Sequence, residues 1–434
     1  MKKRILFYAH YYPPDVASTG QILQDLAEGM KDEFEVTVIC TVPSYTGTIP
    51  EAYGKKQVYM EEINGVNVLR VSVPPFSKSD KLSRIKNLTA YFMEARKATR
   101  QVGYQDYVFT ISQPPLLGGM LGVYGKNHLR TASGKKPKLI YNIQDFNPEQ
   151  IEAVGYFHNK VVLNIMRELD KRSCRESDLV ITVGRDLVDT LKNRFQGKSV
   201  PNYAMINNWI NEKEVYPLLS DHPEVIAFKK QYSLEDKFIF MYSGNIGLYY
   251  DLEGLIQVIE KFKDEKTADG RDVLFAFVGA GSLLDQLKQY KQEHELDNVI
   301  FIPYQPKEKL IYSLNAADVH LCVNAKGIKG VSCPSKFYGI AGVAKPVLGV
   351  LEKDSEIEIL IRETGCGLCS EPGDATAFAN NIIWFIQHAN DPVLDKMAAQ
   401  GHNYLKKNLT KDVSVSKYIY ELNNLETIRS NVYE

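Results

Sequence analysis

The sequence predicts an α/β protein made of two doubly wound domains, each a mostly parallel sheet with helices on both faces. The chain has 434 residues, and a single hydrophobic core stops growing near ~250–300 residues, so two cores are expected. In both halves, short apolar runs of strand character alternate with segments of helical spacing, which is typical of parallel sheets. Hydrophobic residues make up 44% and charged residues 24% of the chain, and these ordinary values exclude a disordered or fibrous protein.

The first series of elements opens as a βαβ unit. Residues 3–9 form an apolar run, residues 23–30 have helical spacing and residues 34–40 are strand-like again. Further strands are predicted at 66–73, 107–112, 139–143 and 179–183. No charged residue lies between Asp106 and Lys126, but Pro114-Pro115 and four glycines interrupt this stretch. We therefore expect a buried strand followed by a helix there, not a membrane span.

The second series begins with a strand at 238–244. Strands follow at 274–278, 299–302, 318–323 and 347–350, with helical segments between them. The polar, proline-punctuated segment 207–217 separates the two series. We expect domains at 1–206 and 207–410, and a C-terminal helix within 411–434 that packs back on the first domain. We expect the two domains to face a central cleft with a binding surface on each wall, because open α/β sheets bind ligands beyond the carboxyl ends of their strands.

Charge and motif content exclude several classes of function. The formal net charge is −1, which gives no overall drive toward nucleic acid. The first loop, residues 10–20, has no G-x-G-x-x-G, which argues against an NAD-dependent enzyme, and no P-loop sequence occurs in the chain, which argues against a P-loop phosphotransferase. The pair Cys366-x-x-Cys369 lacks a partner pair at zinc spacing and favours a strand end over a metal site. The apolar run after Met1 is too short for a signal peptide, so we expect a cytoplasmic protein.

Four segments of the second domain follow predicted strands and contain small, basic or acidic residues: 243–247, 277–282, 329–339 and 353–356. Gly244 and Gly247 would let backbone amides approach an anion near a helix start. A helix is predicted from Pro334, so Ser335 and Lys336 fall in its first turn, where the helix field favours phosphate. Glu356 could accept hydrogen bonds from a ribose. Any one glycine segment is equally consistent with a plain turn, but four at one sheet edge favour a ligand site.

Seven motifs in order carry a resemblance to a known family: Tyr11-Tyr-Pro-Pro14, Gln144-Asp-Phe-Asn-Pro-Glu149, Pro201-Asn-Tyr203, Asn208-Trp-Ile-Asn211, Ser243-Gly-Asn-Ile-Gly247, Val278-Gly-Ala-Gly281 and Pro334-Ser-Lys-Phe-Tyr-Gly339. Over residues 3 to about 385 the chain resembles family-4 glycosyltransferases, in particular bacterial O-antigen and capsule enzymes of the fucosaminyltransferase type. The resemblance implies the GT-B architecture, with an N-terminal acceptor domain and a C-terminal nucleotide-sugar domain. It also implies retention of anomeric configuration, with no metal and no cofactor besides the donor.

The sequence departs from the family pattern at charged positions. Two customary glutamates are replaced by Val331 and Gly339, and a customary arginine and lysine by Asn245 and Tyr250. Charge to balance a diphosphate must then come from elsewhere, with Lys336 and Lys329 as candidates and Glu356 as the candidate ribose contact. The candidate donor-binding residues are Gly20, Gly244, Asn245, Gly247, Gly279, Lys329, Ser335, Lys336 and Glu356.

Asp145 is the first candidate for a catalytic residue, because it ends a predicted strand at the rim of the first domain. Its carboxylate could take a proton from the acceptor hydroxyl or stabilise an oxocarbenium-like centre. The alternative is that Asp145 caps the following helix, with Glu149 in its first turn. His10, on the first loop, is a second catalytic candidate, although a single histidine after a strand is more often structural.

Basic residues cluster in the segment Lys78–Arg100 around apolar positions spaced by three and four. This pattern predicts an amphipathic helix whose basic flanks could lie on an anionic leaflet and receive an acceptor carried by lipid. An ordinary surface helix explains the pattern equally well. The residues of the candidate membrane or acceptor face are Lys81, Arg84, Lys86, Tyr91 and Phe92.

The function expected from these features is transfer of a sugar from a nucleotide diphosphate sugar, UDP-linked by resemblance, to a polyprenyl-diphosphate-linked saccharide at the inner face of the membrane. Two alternatives stay open. A nucleotide-sugar epimerase has the same architecture and needs no acceptor. A non-catalytic nucleotide-sugar-binding homologue would explain the missing charged residues.

Overall fold

The structure is a computed structural model that describes residues 2–15, 17–77, 80–155 and 157–427; Lys78 of the basic segment lies outside the described residues. The chain divides into two compact units. Unit 1 comprises residues 1–207 and 414–434, and unit 2 comprises residues 208–413. Each unit is built around its own sheet.

Unit 1 contains an eight-stranded sheet of order β3-β4-β2-β1-β5-β6-β7-β8. All neighbouring strands are parallel except β3, which runs antiparallel to β4 at the edge. The buried strands are almost wholly apolar on both faces, as expected for a sheet covered by helices on each side. The strands are β1 (Lys3–Tyr8), β2 (Phe34–Thr41), β3 (Val58–Ile63), β4 (Val66–Val71), β5 (Tyr107–Ile111), β6 (Lys138–Ile143), β7 (Leu179–Thr182) and β8 (Tyr203–Met205).

Six helices of unit 1 precede residue 207: α1 (Ser18–Met30), α2 (Lys81–Ala98), α3 (Leu117–His128), α4 (Glu149–Ala153), α5 (Lys160–Glu176) and α6 (Arg185–Arg194). The glycines of the uncharged stretch lie in α3 and bring it close to the sheet and to α5. A Cβ at Gly122 would come within 2.5 Å of Thr110 Cγ2, and one at Gly119 within 2.7 Å of Ser173 Cβ. No helix among the described residues combines the length and apolar character needed to cross a membrane.

Unit 2 contains a six-stranded, wholly parallel sheet of order β11-β10-β9-β12-β13-β14. Its strands are β9 (Lys237–Ser243), β10 (Asp272–Val278), β11 (Val299–Ile302), β12 (Val319–Val323), β13 (Val347–Val350) and β14 (Gly367–Ser370). Its helices are α7 (Pro223–Gln231), α8 (Leu252–Ile259), α9 (Leu284–Glu293), α10 (Lys307–Asn315), α11 (Lys336–Gly342), α12 (Glu356–Thr364), α13 (Ala375–Gln387) and α14 (Pro392–Asn408).

The order of the strands in unit 2 reverses between β9 and β12. Successive strands step outward from β9 to β11 on one side and from β12 to β14 on the other. This is the doubly wound order in which ligands bind at the switch point, beyond the carboxyl ends of the two central strands. The loops after β9 and β12 lie at this point of the sheet.

The last helix, α15 (Lys411–Thr427), belongs to unit 1 from residue 414 onward. The Tyr418 hydroxyl accepts a hydrogen bond of 2.7 Å from Asn142 Nδ2 in β6. Tyr107 of β5 donates its hydroxyl proton to the Leu422 carbonyl at 3.2 Å. Val415 lies against Gly29 of α1, where no side chain would fit. The helix therefore covers the sheet face that α1 also covers.

Candidate functional site

The loops after β9 and β10 contact each other backbone to backbone. The amides of Gly244 and Ile246 donate to the carbonyls of Val278 and Ala280, each at 2.9 Å. A Cβ at Gly279, which has φ +146°, would lie only 2.0 Å from the Gly244 carbonyl oxygen. The glycine at position 279 is therefore required by the contact between the loops, and this contact holds the loop after β9 in place.

Lys336 lies over this loop. Its ammonium nitrogen is 3.6 Å from the ring centroid of Tyr250 and 4.9 Å from that of Tyr242. Its Cε lies 2.7 Å from where a Cβ on Gly244 would be, so the absence of a side chain there makes room for the lysine. The lysine is half-buried and has no carboxylate partner within the described part of the chain. A cation held on two aromatic rings keeps its full charge available for an anion.

Tyr250 stands at a position where the family resemblance implies a lysine. Its ring instead contacts the ammonium group of Lys336. Lys336 of α11 thus supplies positive charge next to the loop after β9. Asn245 and Gly247 lie on the same loop, and the Asn245 carbonyl accepts a hydrogen bond of 2.6 Å from the Tyr242 hydroxyl.

The helix that carries Lys336 is shorter than the sequence suggests. We expected it to begin at Pro334, but α11 starts at Lys336 and has seven residues, with Ser335 in the capping position and no side-chain cap. Ser335 is exposed. With so few aligned peptide units the helix dipole is small, so the lysine charge dominates the local field.

Two predicted donor-binding residues are already engaged by protein groups. The Lys329 ammonium donates to the Lys353 carbonyl at 2.6 Å, and the Lys329 amide donates to Glu352 at 2.9 Å. Glu356 is the first residue of α12 and only 1% exposed. Its carboxylate is enclosed by protein, so the placement does not support the expected ribose contact.

Unit 1 has a pocket of ≈ 370 Å³ next to the carboxyl ends of β1 and β5 and the first turns of α2. Its lining combines aromatic, cationic and amide groups that suit a polar ligand with an apolar face. The lining residues are His10, Tyr11, Tyr45, Phe76, Arg84, Asn87, Leu88, Gln113, Pro114 and Pro115.

His10 is buried at the base of this pocket. Its ring makes tilted contacts with the rings of Tyr11 and Tyr91, with centroid distances of 4.0 and 4.9 Å. Burial lowers the pKa of His10 to about 4, although the Asn87 side chain opposes this by hydrogen bonding. The imidazole is therefore neutral near pH 7. Its Nε2 is buried and has no hydrogen-bond partner among the described residues.

Asp145 is connected to the same pocket through Gln113. The Gln113 side-chain amide donates to Asp145 Oδ2 at 3.2 Å, and the Asp145 backbone amide donates to Ser112 Oγ at 3.2 Å. The following helix, α4, begins at Glu149 with Pro148 in the capping position. Asp145 therefore lies outside the capping position that the alternative interpretation gave it.

Arg194, which the sequence analysis did not single out, fixes the segment that carries Asp145. Its guanidinium lies 4.4 Å from the Phe146 ring, donates to the Asn147 carbonyl at 2.9 Å, and forms ion pairs with Glu149 and Asp170. Burial raises the pKa of Glu149, but hydrogen bonds from Arg194 outweigh this and the net shift is downward. Arg194 lies about fifty residues from Asp145 in the chain, and no short motif indicates the contact.

The remaining predicted residues lie at different depths. Gly20 is buried, and a Cβ there would come within 2.9 Å of the Tyr11 carbonyl oxygen, so this glycine packs on the first loop of unit 1. Tyr91 is buried against His10, so its assignment to a surface face is wrong: the 3.6-residue helical repeat turns Tyr91 toward the sheet. Phe92 is half-buried, 5.5 Å from Arg96, while Lys81 and Lys86 are exposed.

The described residues contain no group of three or more His, Cys, Asp or Glu side chains placed to hold a metal ion. Cys366 directly precedes β14 and Cys369 lies within it, and a Cβ at Gly367 would lie 2.0 Å from the Val347 carbonyl oxygen. This agrees with the strand-end interpretation.

The fold is GT-B: two units with Rossmann-like parallel sheets, as the sequence predicted. Two solved structures have the same fold. Sucrose-phosphate synthase from Thermosynechococcus elongatus aligns with a TM-score of 0.75 at 14% identity, covering 98% of this chain and 100% of that one. Anabaena Alr3699/HepE, solved in complex with UDP, aligns with a TM-score of 0.66 at 14% identity, covering 97% and 100%.

Residues 225–404, which lie in unit 2, match the model of the family Glycosyl transferases group 1. Two curated relatives match nearly the whole chain. The probable glycosyltransferase WbjE of Pseudomonas aeruginosa is 26% identical over 96% of each chain. The putative colanic acid biosynthesis glycosyl transferase WcaI of Escherichia coli K12 is 24% identical over 96% of this chain and 99% of the relative. The finer fucosaminyltransferase assignment receives no support from these names.

Proposed function

We propose that this protein is a glycosyltransferase that moves one sugar from a nucleotide diphosphate sugar to a hydroxyl of a lipid-linked surface polysaccharide intermediate. The observation that carries the proposal is the half-buried Lys336 ammonium, held on two tyrosine rings beside the loop after β9. It lies where a doubly wound sheet binds its ligand.

The donor half of the reaction is assigned to unit 2. The amides of Gly244 and Ile246 donate to carbonyls of the neighbouring loop. The groups that bind the ligand are therefore the Lys336 ammonium and the amides of Asn245 and Gly247. A lysine with no carboxylate partner stabilises a diphosphate and, more strongly, the charge that develops on it as the sugar departs. One charge-assisted hydrogen bond of this kind contributes roughly 1.5–3 kcal/mol.

We propose UDP as the nucleotide, because the similarly folded Anabaena Alr3699/HepE was solved with UDP. The sugar is a hexose or N-acetylhexosamine, transferred with retention of configuration and without a metal ion, as the family resemblance implies.

The acceptor half is assigned to the pocket of unit 1. Neutral His10 offers Nε2 to a sugar hydroxyl, and Asp145, oriented by Gln113, takes up the acceptor proton or stabilises the positive charge at the reacting carbon. Arg84 lines the same pocket and suits the diphosphate of a polyprenyl-diphosphate-linked saccharide. We place the reaction at the cytoplasmic face of the membrane, where such an acceptor is carried.

The test is incubation of the full chain with nucleotide sugars and lipid-linked saccharide extracts, followed by mass spectrometry. A thermal-shift screen first selects the donor, because a bound ligand stabilises the native state. We expect the lipid-linked product to gain one sugar residue, with the anomeric configuration retained by NMR and the rate unchanged by a chelator. A changed sugar with donor alone would identify an epimerase, and binding without transfer to any acceptor would identify a non-catalytic homologue.

A further inference from the structure

Helix α2 has apolar residues on its outward face as well as on its inward face. Leu82 is 70% exposed and Ile85 57% exposed, and Met93 lies two turns further along the same side. The residues buried against the sheet occupy the opposite side of the helix, at Asn87, Tyr91, Ala95 and Ala98. An ordinary surface helix carries polar residues outward, so packing within unit 1 does not explain the exposed apolar side chains of α2.

Helix α5 shows the same feature. Val161 and Ile165 are 68% and 56% exposed, and Leu169 continues the stripe at the next i+4 position. Its inward residues are Leu163, Asp170, Ser173 and Cys174. The outward stripe is therefore additional to the face that α5 uses for folding.

The two stripes lie on one side of unit 1. Helix α3 contacts both α2 and α5: Arg96 of α2 lies 4.5 Å from the Tyr124 ring of α3, and Gly119 of α3 touches Ser173 of α5. Right-handed crossovers through β5, β6 and β7 put all three helices on the same face of the sheet. The first turns of α2 also line the unit 1 pocket, through Arg84 and Leu88.

The charges around the stripes are mainly positive. The exposed basic residues of the two helices are Lys81, Arg84, Lys86, Lys97, Lys160, Arg172 and Arg175. The exposed acidic residues of the two helices are Glu168, which pairs with Lys171 and Arg175, and Glu176. The half-buried Glu94 pairs with Lys97. A second copy of the chain bound by this same face would bring two basic rims together, which is unfavourable. Aliphatic stripes with basic flanks suit the headgroup and upper acyl region of an anionic bilayer.

We propose that the outward faces of α2 and α5, here named the α2–α5 surface, bind an anionic lipid leaflet. The aliphatic stripes enter the bilayer interface and the basic residues contact lipid phosphates. This inference rests on the proposed function in one respect: it brings the unit 1 pocket to the leaflet in which a lipid-linked acceptor lies. Its test requires no sugar transfer.

The experiment measures partitioning of the full-length protein onto phosphatidylcholine vesicles with and without phosphatidylglycerol. We expect binding to the anionic vesicles only, and a loss of about tenfold or more on Val161→Glu with Ile165→Glu, or on Leu82→Glu with Ile85→Glu. The matched controls are Ile226→Glu and Ile383→Glu, which change similarly exposed isoleucines of α7 and α13 in unit 2 and should bind as the wild type does. An unchanged far-UV circular dichroism spectrum and thermal unfolding midpoint show that each variant is folded.

The proposal would be overturned if the wild-type protein did not bind anionic vesicles, or if the α5 variants bound them as the wild type does. So would a concentration-dependent dimer in light scattering that the same substitutions abolish, because the stripes would then cover a protein interface. Sugar transfer to a detergent-solubilised acceptor by a protein that does not bind vesicles would refute the surface while the proposed function stands. Vesicle binding by a protein that transfers no sugar to any acceptor would support the α2–α5 surface and refute the proposed function.

Discussion

The ammonium nitrogen of Lys336 lies 3.6 Å from the ring centroid of Tyr250, a residue at a position where the family resemblance implies a lysine. An ion pair with a carboxylate would place the lysine equally well but would neutralise it. The aromatic contact fixes the cation and leaves its charge for a ligand. The loop after β9 lacks the lysine that the resemblance implies at position 250, and Lys336 of α11 supplies a positive charge beside it.

Tyr250 should act as a positioning residue for Lys336. We expect Tyr250→Leu to weaken nucleotide binding about three- to thirtyfold, which corresponds to a cation–π contribution of about 0.5–2 kcal/mol. Tyr250→Phe keeps the ring and should stay close to the wild type. Titration calorimetry measures both, and equal affinities for the Leu and Phe variants would show that the ring does not hold the lysine.

Asp145→Asn should separate catalysis from donor binding. The amide keeps the size of the side chain and its contact with Gln113, but it cannot take a proton or stabilise a cation. We expect nucleotide affinity within about twofold of the wild type and a transfer rate at least about tenfold lower. A variant that transfers sugar at the wild-type rate would remove Asp145 from the mechanism.

The contact between the loops after β9 and β10 should be sensitive to one added methyl group. Gly279→Ala would place a Cβ 2.0 Å from the Gly244 carbonyl oxygen, and we expect a loss of roughly 2–4 kcal/mol in the free energy of unfolding of unit 2. Gly270→Ala is the matched control, because its φ is also positive but nothing lies within 4 Å. Urea denaturation should show a cost of only about 1 kcal/mol for the control; similar costs for both would mean that the loop contact is loose.

Burial of two neutral histidines should make stability depend on pH. The pKa values of His10 and His320 are lowered from the ordinary 6.5 to about 4 by burial. Between these values the unfolded chain binds protons that the folded chain does not, so stability falls as pH drops from 6.5 toward 4. Each histidine contributes up to about 1.4 kcal/mol per pH unit in this window. His10→Gln should flatten the pH dependence of the urea transition of unit 1, and an unaltered slope would contradict the burial argument.

The fold class followed from the sequence because alternating apolar runs and helical segments are local signals. Strands that lack a strong apolar run of their own were not predicted. The edge strand β3 alternates exposed and half-buried residues, and β8 has three residues with no buried one among them, so neither has a strong apolar run. Helix α11 was expected to start at Pro334, since proline suits a first turn, but it begins two residues later.

The site was accessible to sequence reasoning only in part. Lys336 and Asp145 stand in recognisable motifs next to strand ends, and this made them candidates. Arg194 and Gln113 act through contacts between distant segments, which residue spacing does not reveal. Tyr91 was placed on the wrong face because α2 carries apolar residues on both sides, so its pattern does not define one buried stripe. The Lys329 ammonium donates to the Lys353 carbonyl and Glu356 is buried, and residue spacing indicates neither of these placements.

The central claim is that a diphosphate binds against Lys336, and titration of UDP and of uridine into the wild type and Lys336→Ala tests it most directly. We predict that the substitution weakens UDP binding by roughly 1.5–3 kcal/mol and leaves uridine binding unchanged, because only UDP carries the phosphates that the ammonium contacts. Equal UDP affinity in the two proteins, or an equal loss for UDP and uridine, would contradict it.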